Sequence, residues 1–78
     1  MQKDAIAKVF CGTLPEDEWE ETVKNIEREN SIFCARTGKN ELCCTVPGLS
    51  DVKTLKTYIS LAAGKYASYL DIYQSVLC

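Results

Sequence analysis

The sequence predicts an α+β fold in which a small three-stranded antiparallel sheet, in the element order β-α-β-β-α, carries two helices on one face. Three observations support this prediction. An acidic segment follows a helix-start signature at Thr13, residues 31–46 have the pattern of a β-hairpin, and residues 50–76 have the spacing of a long amphipathic helix. The 78 residues are 46% hydrophobic and 26% charged, so we expect one α+β domain over residues 1–78.

The first segment, residues 5–11, fits either a short strand or a short helix. Ile6, Val9 and Phe10 have helical spacing, whereas the alternation of apolar and polar residues that marks a strand is weak. We favour a strand, because a hairpin alone is marginal in water and a third strand would complete a sheet able to carry two helices.

A helix is predicted over residues 14–29. Thr13 and Glu16 have the capping-box spacing, in which each side chain reaches a backbone N–H of the first turn. The apolar stripe of this helix is narrow, so we expect it to lie on the surface with one buried edge. The stripe consists of Trp19, Val23 and Ile26.

The charge of the chain is distributed unevenly. Residues 15–29 contain seven acidic and two basic residues, a local charge of 2 − 7 = −5, and the net charge of −2 leaves +3 for the remainder. The predicted first helix is therefore an acidic surface on a chain that is otherwise weakly basic.

Residues 31–46 are predicted to form a hairpin with its tip at Gly38 and Lys39. This register places Arg36 opposite Glu41 and Cys34 opposite Cys43, and the opposite charges in register support it. One face of the hairpin is then apolar and is expected to be core. That face consists of Phe33, Ala35, Leu42, Cys44 and Val46.

Pro47 and Gly48 end the hairpin, and a long helix with Ser50 as its N-cap is predicted over residues 50–76. Such a helix measures about 40 Å, whereas a compact domain of this size is roughly 25–30 Å across. Its tyrosines lie within a sector of about 80°. Such a stripe can pack in the core, or it can form a homodimer interface, which is predicted here because the helix is too long for its own domain to cover, unless Gly64 kinks it. The tyrosines are Tyr58, Tyr66, Tyr69 and Tyr73.

The absence of histidine weighs against an enzyme, because imidazole is the commonest general base and the usual nitrogen ligand of zinc. The chain also contains no phosphate-binding glycine motif and no C-x-x-C pair. We therefore expect no catalytic residue, no cofactor and no metal ion.

Five cysteines are predicted to be thiols, because their number is odd and no export signal is evident. Three alternatives remain for them. They can act as small apolar core residues, Cys34 and Cys43 can form a redox pair across the hairpin, or cysteines of the hairpin can bind zinc. Zinc is the poorest of these, because adjacent cysteines on a strand point to opposite faces.

Location and partners follow from composition. Lys3 and Asp4 interrupt any apolar signal core, and no run approaches the ~20 apolar residues of a membrane span, so a cytoplasmic protein without membrane contact is expected. The acidic helix and the hairpin tip are predicted to dock on a larger protein with a basic surface. The predicted contact residues are Glu16, Asp17, Glu20, Glu21, Arg36 and Lys39.

The function expected from these features is a non-enzymatic inhibitor or adaptor. Small acidic proteins with this role include those encoded by viruses and mobile elements, an analogy and not a motif. Two alternatives stand beside it: a nucleic-acid-binding module that uses the hairpin, and a thiol redox protein that uses Cys34 and Cys43. The acidic composition argues against nucleic acid, since phosphate binding requires a basic surface.

Overall fold

The computed structural model of the chain describes residues 4–76. It contains four strands, two α-helices and one 3₁₀-helix. In chain order these are β1 (Ile6–Phe10), α1 (Glu16–Glu27), β2 (Phe33–Gly38), β3 (Glu41–Thr45), α2 (Val52–Ala63), the 3₁₀-helix (Gly64–Tyr69) and β4 (Asp71–Ser75). The predicted α+β class is confirmed, but the sheet has one strand more than the three expected.

The strands form one antiparallel sheet in the order β2-β3-β1-β4. With the β-α-β-β-α-β element order, this is the split β-α-β arrangement, in which two central strands separate the strands that follow each helix. Both helices pack on the same face of the sheet. Their buried residues form one core with alternate residues of β1 and β3, among them Val9, Leu42 and Cys44.

The prediction of a strand near the N-terminus is confirmed, and so is the buried edge of α1. Trp19, Val23 and Ile26 are all buried. The start of α1 differs from the prediction: Pro15 is the N-cap and no side chain caps the helix, so the capping box of Thr13 and Glu16 does not form. A proline suits this end because it has no backbone N–H that needs a partner there.

The predicted hairpin exists, but its register is wrong by one residue. Cys34 lies opposite Cys44 and Arg36 opposite Leu42, and an irregularity between Arg36 and Gly38 absorbs an extra residue. The shift exchanges the faces of β2, so Phe33, expected in the core, is 61% exposed. Ala35 is also exposed, while Leu42, Cys44 and Val46 are buried as predicted.

The prediction of one helix over residues 50–76 is wrong at its C-terminal end. Asp51, rather than Ser50, is the N-cap, and its side chain accepts a hydrogen bond from the Lys53 N–H. Gly64 ends α2 with φ +62°, a conformation that side chains disfavour, and six residues of 3₁₀-helix follow. The chain then returns as β4, which pairs with β1. The segment therefore folds back onto its own sheet instead of extending as a rod.

Candidate functional site

The outer surface of α1 is the most strongly charged part of the described chain. The helix carries six acidic residues and one lysine between Glu16 and Glu27, a charge of 1 − 6 = −5. Its buried edge fixes its rotation against the sheet, so the acidic side chains are held toward solvent. Carboxylates fixed in this way present a negative surface without any rearrangement.

A hydrogen bond between Trp19 and the hairpin turn positions α1 against the tip of the hairpin. The Trp19 indole Nε1 donates to the Lys39 carbonyl oxygen at 3.1 Å. Because the Trp19 ring is buried, this bond satisfies the only polar group of the indole while fixing the turn. The side chains of Lys39 and of the preceding strand are thereby held beside the acidic helix.

A cleft of about 260 Å³ lies between α1 and the hairpin tip. Its charged lining consists of four of the six residues predicted to contact a partner: Glu16, Glu20, Arg36 and Lys39. The Arg36 Nη2 lies 2.6 Å from the Glu20 Oε2 in an ion pair that links β2 to α1. The predicted register had paired Arg36 with Glu41 instead. The cleft therefore combines two acidic and two basic side chains, with one of each already paired.

The other two predicted contact residues, Asp17 and Glu21, lie on a different flank of α1. Because each follows Glu16 or Glu20 by one position, its side chain is rotated by about 100° around the helix. The Glu21 Oε2 accepts a hydrogen bond from the Tyr66 hydroxyl. This hydrogen bond, together with burial and the negative charge of Glu21, raises the pKa of Tyr66 to about 12. The structure thus divides the predicted acidic site into two flanks.

The four tyrosines predicted as a dimer interface do not share one face. Tyr66 is only 7% exposed and contacts α1, whereas Tyr58 and Tyr69, at 42% and 54% exposure, lie on α2 and the 3₁₀-helix. Tyr73 is on β4, on the opposite side of the sheet from the helices. The predicted single tyrosine stripe therefore does not form, because the four residues lie on three different elements.

The sheet face opposite the helices was not predicted from the sequence. Alternate residues of all four strands lie there, and aromatic rings are exposed at Phe10, Phe33 and Tyr73. At the end of β3 next to the hairpin turn, the Glu41 carboxylate accepts hydrogen bonds from Thr37 at 2.8 Å and Tyr73 at 3.1 Å, and lies 3.5 Å from the Lys8 Nζ. The sequence signal for this face was the alternation of Asp71, Tyr73 and Ser75 with inward-facing residues.

The cysteines also differ from the prediction. Cys11, Cys34 and Cys44 are free, Cys43 is disulfide-bonded, and Cys78 lies outside the described residues. The register places Cys34 beside Cys44, and their Sγ atoms are 3.7 Å apart. The predicted Cys34–Cys43 pair is therefore wrong, because the two residues are not opposite each other and Cys43 is on the other face of β3.

Within residues 4–76, no cluster of three or more cysteine and carboxylate side chains is arranged to hold a metal ion. None of the helices described is both long enough and apolar enough to cross a membrane. The chain matches no protein family model, no curated protein and no solved structure.

Proposed function

We propose that this protein is a non-enzymatic binding module that docks on a basic surface of a larger protein, as an inhibitor or an adaptor. The observation that supports the proposal is the cleft between α1 and the hairpin tip, which Glu16, Glu20, Arg36 and Lys39 line together. Charged groups from two elements that meet at one cleft can select a partner by charge and by shape.

The charge distribution of the chain predicts the sign of the charge on the partner's surface. The helix carries −5 while the rest of the chain carries +3, so the molecule has a strongly acidic side. A basic surface would be steered toward this side, and correct orientation would be favoured before contact. Glu16, Asp17 and Glu21 are exposed and available for such contacts.

The same geometry counts against the alternatives. Glu20 already neutralises Arg36, and acidic side chains surround the hairpin tip, so a nucleic-acid phosphate would be repelled there. A catalytic role is not expected, because the chain lacks histidine, the commonest general base.

Self-association and cellular location stay predictions. A helix longer than the domain no longer supports a homodimer, because residues 71–75 form β4 and the tyrosines lie on different elements. The disulfide at Cys43 counts against a cytoplasmic location, since disulfides are rare in reducing compartments.

A matched pair of double variants tests the docking proposal. Glu16→Gln with Asp17→Asn removes two negative charges from the first turn of α1, that of Glu16 in the cleft and that of Asp17 on the neighbouring flank. Glu27→Gln with Glu29→Gln removes two from the last residue of α1 and the segment just after it. The partner is first captured from the source organism and identified, and its affinity for each variant is then measured by calorimetry at several salt concentrations. We expect the first pair to weaken binding roughly threefold to tenfold and to reduce its salt dependence, and the second pair to have little effect.

Thermal unfolding of both double variants provides the control for folding, because acidic residues in the first turn stabilise a helix by about 0.3–1 kcal/mol each. Equal weakening by the two pairs would mean that only net charge matters. Unchanged affinity of the first pair would exclude docking at this cleft.

A further inference from the structure

We propose that Cys34 and Cys44 are a reactive thiol pair that is oxidised to a cross-strand disulfide by small disulfides, with Cys34 as the attacking thiol and Cys44 as the resolving thiol. The two residues lie directly opposite each other on β2 and β3, on the same face of the sheet. Their Sγ atoms are 3.7 Å apart, within contact distance and without an intervening group.

Their environments assign the two roles. Cys34 is half-buried on an edge strand, whereas Cys44 is fully buried, so a small disulfide can reach only Cys34. The hydrogen bond from the Cys44 thiol stabilises the Cys34 thiolate and lowers the pKa of Cys34, against the opposing effects of burial and of Glu27. The same pairing and burial raise the pKa of Cys44. The thiolate is the nucleophile in disulfide exchange, so Cys34 reacts first.

The reaction balances as two successive exchanges. The Cys34 thiolate attacks one sulfur of a low-molecular-weight disulfide, such as oxidised glutathione, and releases one small thiolate. Cys44 then loses its proton and attacks the Cys34 sulfur, which forms the protein disulfide and releases the second small thiol. The two protein thiols together lose two electrons and two protons, and the small disulfide gains them.

The fold permits the sulfur atoms to close the remaining distance. A disulfide requires Cβ atoms about 3.5–4.5 Å apart, whereas residues opposite each other in a sheet are about 4.5–5.5 Å apart. β2 has only one neighbouring strand and an irregularity between Arg36 and Gly38, so it can move toward β3 without breaking a second ladder. Oxidation should therefore tighten the edge of the sheet.

The test is oxidation of the folded full-length chain with oxidised glutathione, followed by alkylation of the remaining thiols under denaturing conditions and peptide mass mapping. We expect Cys34 and Cys44 to lose alkylation together and the peptide of residues 29–36 to become linked to that of residues 40–53. Because Cys43 and Cys44 lie in the same peptide, fragmentation of the linked peptides is needed, and it should place the new bond on Cys44. Retained alkylation of both residues, or a link from Cys34 to Cys43, would overturn the proposal.

Variants separate the two roles. Cys44→Ser, or Cys44→Ala if the hydroxyl is not tolerated in the core, should leave Cys34 trapped as a mixed disulfide with glutathione. Cys34→Ser should leave Cys44 fully alkylated, and the matched control Cys11→Ser should oxidise like the wild type. If Cys44 reacts at the wild-type rate in Cys34→Ser, the assigned order of attack is wrong.

Discussion

At the scale of single residues, Tyr66 illustrates how a side chain can satisfy a sequence pattern and serve a different purpose. Its spacing placed it in the predicted dimer interface, yet its ring is buried within the chain and its hydroxyl donates to Glu21 of α1. A buried phenol requires a partner for its hydroxyl, and this hydrogen bond joins the 3₁₀-helix to the acidic helix. Tyr66 therefore supports the position of α1 rather than an interface between chains.

The titration of Tyr66 tests this role. Its pKa of about 12 in the folded chain exceeds the ordinary value of about 10, so the hydrogen bond stabilises the fold fully below pH 10 and is lost as the pH rises from there to 12. Ultraviolet absorbance, recorded promptly after each pH jump, should show the ionisation of Tyr66 near pH 12. Tyr66→Phe should abolish that step, whereas Tyr69→Phe should retain it. A step that persists in Tyr66→Phe would contradict the assignment.

At the scale of elements, the sequence predicted the helices and strands whose apolar periodicity is unambiguous. The 3.6-residue spacing of Trp19, Val23 and Ile26 correctly identified the buried edge of α1. The register of the hairpin could not be predicted in this way, because Ile32 and Phe33, just before and at the start of β2, are both apolar and lie on opposite faces. The predicted charge pair of Arg36 with Glu41 gave the wrong alignment, since Arg36 forms its ion pair with Glu20 on α1.

The end of α2 could not be placed for a related reason. Tyr66, Tyr69 and Tyr73 follow one another at spacings of three and four, which a helix and a helix followed by a strand satisfy equally. Only the backbone of Gly64 decides between them. The candidate site was predicted in part: charge identified the residues, but only the fold shows that Glu16 and Glu20 share a cleft while Asp17 and Glu21 do not.

Substitution of Gly64 tests the claim that its backbone turns the chain. Gly64→Ala introduces a side chain at φ +62°, and we expect it to reduce the free energy of unfolding by about 1–3 kcal/mol. Gly38→Ala is the matched control, because the added Cβ would meet the Glu41 Cβ at an ordinary distance of 3.6 Å and no positive φ is involved. Urea denaturation measures both variants, and an equal loss in the two would contradict the expectation.

At the scale of the whole molecule, the two faces of the sheet are stabilised in different ways. The face under the helices is an apolar core, whereas the opposite face is held by side-chain contacts between strands. Glu41 on β3 contacts one residue of each other strand. These residues are Thr37 of β2, Lys8 of β1 and Tyr73 of β4. One carboxylate therefore connects all four strands on the face that the helices leave uncovered.

This arrangement makes the stability of the sheet depend on the charge of Glu41. The hydrogen bond from Thr37, followed by those from Tyr73 and Lys8 and the charge of Lys8, lowers the pKa of Glu41 below its usual value of 4.5, against the effect of burial. A carboxyl group with a lowered pKa in the folded state stabilises the fold above its ordinary pKa, and this contribution is lost as the pH falls through the folded-state value.

Glu41→Gln should therefore unfold at a lower temperature than the wild type at pH 7, and the difference between them should shrink below pH 4.5. Thermal unfolding across this range measures the effect. The control Glu29→Gln, which removes an exposed carboxylate just after α1, should unfold close to the wild-type temperature at pH 7. A Glu41→Gln curve parallel to the wild type would show that Glu41 does not connect the strands.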